Sequence, residues 1–158
     1  MIKAMFKKVN SIDSCNVFTD IYNSAILAFN EEERREATSD IFYQQIRTDI
    51  NYIYYDNDDI PRAFFSYKIH TDYLFELTSL YVMKEYQRMG IGKQSVLFLE
   101  EMIPPGSVLC VKVLNNAPWS ISFYNKMGFM DISNEMEKEA SKYGLKANPW
   151  SRILRKNL

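Results

Sequence analysis

The stretch Leu80-Tyr81-Val82, separated by four residues from QRMGIGK at 87–93, decides the fold of this chain. An apolar run there leads into a polar turn and then into Gly90 and Gly92. Glycine allows positive φ and lets a ligand approach the main chain closely. A helix that begins at the second glycine directs several unpaired N–H groups toward one point, which suits a pyrophosphate. The stretch therefore predicts a phosphorylated cofactor at a strand-to-helix junction.

The residues that this loop lacks exclude two common nucleotide sites. A P-loop would need Gly at position 87 and Ser or Thr at 94, where the chain has Gln87 and Gln94. A dinucleotide fingerprint that starts at Gly90 would need a third glycine at position 95, which is Ser95. Neither an ATP-type P-loop nor a dinucleotide site is indicated.

The pattern Gln87-x-x-Gly90-x-Gly92 resembles the Q/R-x-x-G-x-G/A loop of the GNAT superfamily of N-acetyltransferases, which bind acetyl-coenzyme A. Downstream, FYNKMGF at 123–129 resembles the second acetyl-CoA segment of that family. The resemblance implies an enzyme with acetyl-CoA as co-substrate and no metal. In the family, the strand before the loop extends the pantetheine arm through its backbone. The residues assigned to acetyl-CoA on this basis are Leu80, Tyr81, Val82, Gln87, Arg88, Met89, Gly90, Ile91, Gly92, Lys93, Asn116 and Lys126.

Two catalytic residues follow from the same resemblance. Glu76 is the candidate base, because histone acetyltransferases of this superfamily carry a glutamate at this offset from the loop; other members place it two residues later, at Thr78 here. A structural glutamate paired with a neighbouring cation is the alternative. Tyr124 aligns with the tyrosine that protonates the departing thiolate, and core packing is its alternative role. His70, the one histidine, is predicted to be a surface residue.

The expected reaction is direct attack of a primary amine on the thioester in a ternary complex, with no acyl-enzyme. Residues 1–60 hold eleven acids against six bases, which would favour a small cationic acceptor. Solvated acidic side chains without a ligand are the alternative. A peptide or protein amine is the second candidate acceptor, and a non-catalytic acyl-CoA-binding module is a further alternative.

Composition sets the remaining expectations. A chain of 158 residues is predicted to form a single domain over 1–158. It contains no apolar run of membrane-spanning length, so we expect no membrane partner and a cytoplasmic location. No basic patch indicates nucleic acid. Cys15 and Cys110 are expected to be free buried thiols. A homodimer is left open.

The order of elements predicts the GNAT fold, an α/β (α+β) architecture. We expect a central mixed, mostly antiparallel β-sheet of about seven strands, flanked by about four helices as a three-layer α/β/α arrangement. The predicted strands cover residues 2–9, 51–55, 63–70, 73–82, 108–113, 129–132 and 150–154. The predicted helices cover 11–29, 31–46, 91–103 and 118–127. A charged surface excursion is predicted over 133–147.

Overall fold

The computed structural model describes residues 5–132 and 150–158. Its strands are β1 (Phe6–Val9), β2 (Ile50–Tyr55), β3 (Pro61–Ile69), β4 (Leu74–Val82), β5 (Val108–Leu114), β6 (Met130–Asp131) and β7 (Ser151–Asn157). Its helices are α1 (Ser14–Ala25), α2 (Tyr43–Thr48), α3 (Ile91–Met102) and α4 (Pro118–Lys126). The strands form one seven-stranded sheet in the order β1-β2-β3-β4-β5-β7-β6. The β4–β5 pair is parallel and the β1–β2, β2–β3, β5–β7 and β6–β7 pairs are antiparallel, so the predicted mixed sheet is confirmed.

The chain divides into two compact units, Met1–Lys68 with Thr78–Met102 and Ile69–Leu77 with Ile103–Leu158. The single domain over 1–158 stays a prediction.

Three layers are present within the first unit. Ile53 and Phe64 are partners in the β2–β3 register and lie on one face, where Phe18 of α1 stacks on Phe64 at 4.2 Å between ring centroids. The neighbouring pair, Tyr52 and Phe65, lies on the opposite face, because side chains alternate along a strand. Phe98 of α3 contacts both rings there, at 5.2 and 6.1 Å. Helices therefore cover both faces of these strands.

The second unit contains β5 and the elements that follow it. Leu109, Cys110 and Val111 are buried, but Lys112 and Leu114 are exposed at the end of the strand. Cys110, Leu74 and Ile153 form an apolar cluster with Ile132. β7 pairs with β5 over its whole length and is longer than the predicted strand.

The predicted second helix is the main error of the sequence interpretation. Residues 31–46 contain short 3₁₀ turns at Glu31–Glu33 and Ser39–Phe42, and α2 starts only at Tyr43. The polar stretch between α1 and α2 has few apolar side chains to bury, and Ala37 is anchored by two bonds with the Asn23 side chain instead. The predicted excursion over 133–147 lies outside the described residues.

Candidate active site

The glycine loop is the junction between β4 and α3. A short 3₁₀ turn at Lys84–Tyr86 leads into it, and α3 begins at Ile91. Arg88 has φ 63° and Gly90 has φ 83°, so both residues lie in the left-handed region. No atom of the described residues lies within 4 Å of the position that a Cβ on Gly90 would occupy, so this side of the backbone is open to an incoming group as far as these residues go.

The first turn of α3 leaves three N–H groups available. The first helical bond runs from the N–H of Gln94 to the carbonyl of Gly90 at 2.9 Å. Within the described part of the chain, the N–H groups of Ile91, Gly92 and Lys93 have no acceptor. Converging N–H groups and the positive end of the helix dipole favour an anion, and a phosphate fits this arrangement. The loop thus has the backbone geometry that a phosphorylated cofactor requires.

The side chain of Gln87 bonds to the ends of β4 and α1. Its side-chain amide donates to the carbonyls of Val82 at 3.0 Å and Ala25 at 3.3 Å. The backbone N–H of Lys84 donates to the hydroxyl of Ser24 at 2.9 Å. These bonds tie the start of the loop to the end of α1, so the side chain of Gln87 holds the loop in position. Its predicted contact with acetyl-CoA stays a prediction.

An ion pair and a stacked ring hold the turn that precedes the loop. Arg62 donates from Nε to Oδ2 of Asp56 at 2.8 Å, and its guanidinium lies 4.2 Å from the centre of the Tyr86 ring. The hydrogen bond from Arg62 lowers the pKa of the Asp56 carboxyl. The N–H of Met83 also bonds to the carbonyl of Arg62 at 2.9 Å. β3 and the loop entrance are thereby linked.

The end of β4 has no strand partner on the β5 side among the described residues, and it carries one aromatic side chain, Tyr81, that packs against the core. β4 pairs with β5 over Leu74–Leu77, and no such pairing extends to residues 78–82 in the described structure. Tyr81 packs against Tyr22, with 4.9 Å between ring centroids, and burial raises its pKa to about 12. Its ring is partly buried and packs against the apolar cluster that contains Phe18 and Phe64, and its contact with a cofactor stays a prediction. Leu80 and Val82 are half-buried.

Glu76 forms a pair with His70. Oε1 of Glu76 lies 2.8 Å from Nε2 of His70, and the two side chains retain only 16% and 12% of their exposure. The expectation that His70 is a surface residue is therefore wrong. Sequence reasoning missed the pair because the two residues are six positions apart, on either side of a turn. The sequence did contain a signal for the pair: His70 ends one predicted strand, and the candidate base Glu76 lies on the next.

Tyr124 lies in the last turns of α4, and only 6% of it is exposed. Its ring packs edge-on against Phe123 and Phe129, with centroids 4.9 and 5.3 Å away. Gly128, with φ 94°, ends the helix and turns Phe129 back toward Tyr124. The motif FYNKMGF is thus a helix end that fixes one tyrosine ring.

The other sequence-predicted residues are exposed. Arg88, Met89 and Lys93 project from the loop and the start of α3, and Asn116 and Lys126 lie at the surface of the second unit. Exposure leaves them accessible to a ligand, and their roles stay predictions.

A buried polar network in the first unit was not predicted. Asp49, whose side chain is 4% exposed, accepts hydrogen bonds from Thr78 at 2.6 Å and Thr48 at 2.9 Å, and Lys68 lies 3.8 Å away. Ser79 donates to Gln45 at 3.1 Å beside it. Thr78 is the position at which some GNAT members carry the base, and here its hydroxyl donates to a carboxylate.

Both cysteines are free and buried, as expected. Burial raises the pKa of the Cys110 thiol to about 11. Among the described residues, no group of three His, Cys, Asp or Glu side chains could hold a metal ion. In the same residues, no helix is long and apolar enough to cross a membrane.

Comparison with known proteins assigns the family. The acetyltransferase (GNAT) family profile matches residues 18–129, which include β4, the glycine loop and the FYNKMGF segment. The chain belongs to the GNAT family. It is an acyltransferase that uses acetyl-CoA as its co-substrate. A comparison with curated protein sequences finds no significant match.

Solved GNAT structures share the fold. The PaiA N-acetyltransferase of Thermoplasma acidophilum, solved with coenzyme A, superposes with a TM-score of 0.69 at 18% identity, over 97% of this chain and 99% of the other. The ribosomal-protein-S18-alanine N-acetyltransferase of Escherichia coli gives 0.69 at 17% identity, over 96% and 92%. A phosphinothricin acetyltransferase of Sinorhizobium meliloti, solved with acetyl-CoA, gives 0.66 at 16% identity, over 98% and 89%. Two of these names state an acceptor, and the two differ: an alanine of a ribosomal protein and phosphinothricin. The likeness therefore shows the fold alone.

Proposed function

We propose that this enzyme acetylates the primary amine of a small cationic molecule, with Glu76 as the base and Tyr124 as the acid. The observation that carries the proposal is the hydrogen bonding and partial exposure of Glu76. One carboxylate oxygen is held by His70, and the side chain keeps partial access to solvent. An amine nucleophile must lose a proton, and a positioned carboxylate is a suitable acceptor.

The glycine loop is the proposed site of the cofactor phosphates. The three free N–H groups at Ile91, Gly92 and Lys93 and the open side of Gly90 support this assignment. When bound, acetyl-CoA supplies the acetyl group as a reactive thioester. The loop residues bind and orient it, and the backbone at residues 80–82 is proposed to align the pantetheine arm.

Tyr124 is proposed to donate the proton that the departing sulfur requires. Its ring is held by Phe123 and Phe129, so the hydroxyl occupies a defined position. A positioned phenol costs little reorganisation during the reaction.

The acidic stretch between α1 and α2 supports a cationic acceptor. Glu31, Glu32, Glu33 and Glu36 are all exposed. Arg34 donates to the carbonyls of Phe29 and Leu27, so the stretch has defined backbone anchors. A negatively charged surface raises the local concentration of cations.

A panel of amines tests the proposal. CoA release should be fastest with polyamines, amino sugars or amino acid derivatives that carry a positive charge. The double variant Glu32→Gln/Glu33→Gln should raise KM for that amine severalfold, and the effect should shrink at high salt. The matched control Asp20→Asn/Asp72→Asn removes two exposed charges elsewhere and should leave KM unchanged.

Two results would contradict the assignment. Release of CoA only with peptides would identify a peptide amine as the acceptor. If no amine causes release of CoA while acetyl-CoA binds normally, the proposed reaction is excluded.

A further inference from the structure

We propose that His70 is a positioning residue for Glu76, whose second carboxylate oxygen, Oε2, is the proton-accepting atom. This inference rests on the proposed role of Glu76 as the base. An ionised carboxylate only accepts hydrogen bonds, so the 2.8 Å contact requires a proton on Nε2 of His70. Among the described residues, no group bonds to Oε2, and the side chain is 16% exposed. Fixing Oε1 therefore presents Oε2 to an acceptor amine or its bridging water.

The backbone between the two residues holds this geometry. The N–H of His70 bonds to the carbonyl of Leu74 at 2.9 Å. The hydroxyl of Thr71 accepts from the N–H groups of Leu74 at 3.0 Å and Tyr73 at 3.3 Å. A turn closed by these bonds fixes the backbone of His70 relative to β4, and the bond to Glu76 orients the imidazole. The pair is therefore preorganised before any substrate binds.

The sheet register gives the described neighbours of Glu76 on the strands beyond β4. Cys110 is its partner on β5, and Arg155 is the partner of Cys110 on β7. Burial raises the pKa of the Cys110 thiol, Arg155 lowers it and Glu76 raises it, so the charges of Arg155 and Glu76 both act on this thiol. Lys112 follows on β5 and is exposed.

Two variants separate the hydrogen bond from the imidazole ring. His70→Gln keeps an N–H donor at a similar reach without the ring, whereas His70→Ala removes both. We expect His70→Ala to lower kcat about 10–100-fold with KM for acetyl-CoA nearly unchanged, because a misplaced base loses its alignment. His70→Gln should retain most of kcat. Asp72→Asn, an exposed change in the same turn, is the matched control and should behave as the wild type.

Rescue by the conservative variant is the readout that a merely structural histidine would not give. A kcat that falls in His70→Ala and returns in His70→Gln follows from a hydrogen bond to Oε1 of Glu76, because the amide shares only the N–H donor with the imidazole. The loss should lie in kcat and not in KM for acetyl-CoA, since a misplaced base acts on the chemical step.

Three outcomes decide the matter. A fall of kcat in His70→Ala that His70→Gln largely restores, with KM for acetyl-CoA unchanged in both, supports the proposal; where His70→Ala does not fold, His70→Phe, which has a ring and no donor, replaces it. Unchanged kcat in both variants, or an equal loss in both, while Glu76→Gln is inactive, would overturn the role of His70 and leave the proposed function intact. A fully active Glu76→Gln would overturn the base assignment and the role of His70 with it.

Discussion

At the scale of single residues, Glu76 and Tyr124 divide the proposed proton transfers between a carboxylate and a phenol. Glu76 is hydrogen-bonded to His70, and the ring of Tyr124 packs against Phe123 and Phe129. In the proposed reaction, the first residue accepts a proton and the second donates one. A substitution that keeps shape and removes one polar function tests each of them.

Glu76→Gln should lower kcat/KM by about two to four orders of magnitude near neutral pH, the usual range for positioned proton transfer. The amide keeps the size of the side chain and cannot accept the proton. Much of the activity should return at high pH, where more of the acceptor amine is already deprotonated. Rates measured across the pH range with one amine provide the check. An unchanged rate throughout would make Glu76 a structural residue.

Tyr124→Phe keeps the buried ring and both aromatic contacts, so the melting temperature should change little. If the hydroxyl protonates the departing thiolate, the loss should appear in kcat, with acetyl-CoA affinity nearly unchanged. The loss should shrink with an acyl donor whose thiol is more acidic. Reduced affinity with normal kcat would instead assign the hydroxyl to cofactor binding.

At the scale of elements, the site depends on how β4 continues into α3. The loop between them is held by Gln87 and by Arg62 with Tyr86, and its open side is Gly90. The residues that hold the loop and the proposed ligand-facing surface are thus different residues of the same short segment. Variants of each should affect different measurements.

Gly90→Val should abolish the rise in melting temperature that acetyl-CoA produces. A β-branched residue is strongly disfavoured at φ 83°, and its side chain would fill the open face of the loop. Gly106→Val is a matched control, because Gly106 has φ 86° and the same open surroundings outside the site. Both variants should lose baseline stability, but only Gly90→Val should lose the ligand-induced shift, which follows mass action. Equal responses to acetyl-CoA in the two variants would contradict the loop assignment.

Thr78→Val should destabilise the first unit without impairing catalysis. Valine has the shape of threonine and lacks the hydroxyl that donates to Asp49, so a buried carboxylate loses one of its bonds. We expect a loss of about 1–3 kcal/mol in the free energy of unfolding, measured with urea. A large fall in kcat at unchanged stability would show instead that Thr78 takes part in the chemistry.

At the scale of the whole molecule, buried thiols and phenols should make the fold sensitive to alkali. Burial raises the pKa of Cys110 from 9.0 to about 11 and of Tyr81 from 10.0 to about 12. Cys15, Tyr22, Tyr52, Tyr54 and Tyr67 shift in the same direction. The folded state favours the protonated form of these groups. Their contribution to the free energy of unfolding is therefore complete below about pH 9 and is lost as pH rises toward 11–12. The urea midpoint should fall steadily over that window, together with a late rise in tyrosinate absorbance; a flat midpoint would contradict the burial of these groups.

The sequence by itself determined the family, the strand-loop-helix junction and most of the elements. These features depend on local rules: periodicity, glycines at positive φ and a proline that begins α4. The polar stretch 31–46 could not be assigned in this way, because its conformation depends on anchors such as Asn23 on a different element. Local propensity carries no information about such contacts.

Only the tertiary structure decided which polar groups meet. The His70–Glu76 pair and the Asp49–Thr78 bond join residues that sequence reasoning treated separately, at separations of six and 29 positions. Pairing across strands depends on register, and a shift of one residue would send each side chain to the other face of the sheet. For that reason the sequence could name Glu76 as a candidate base, but the partner that orients it became visible only in the folded chain.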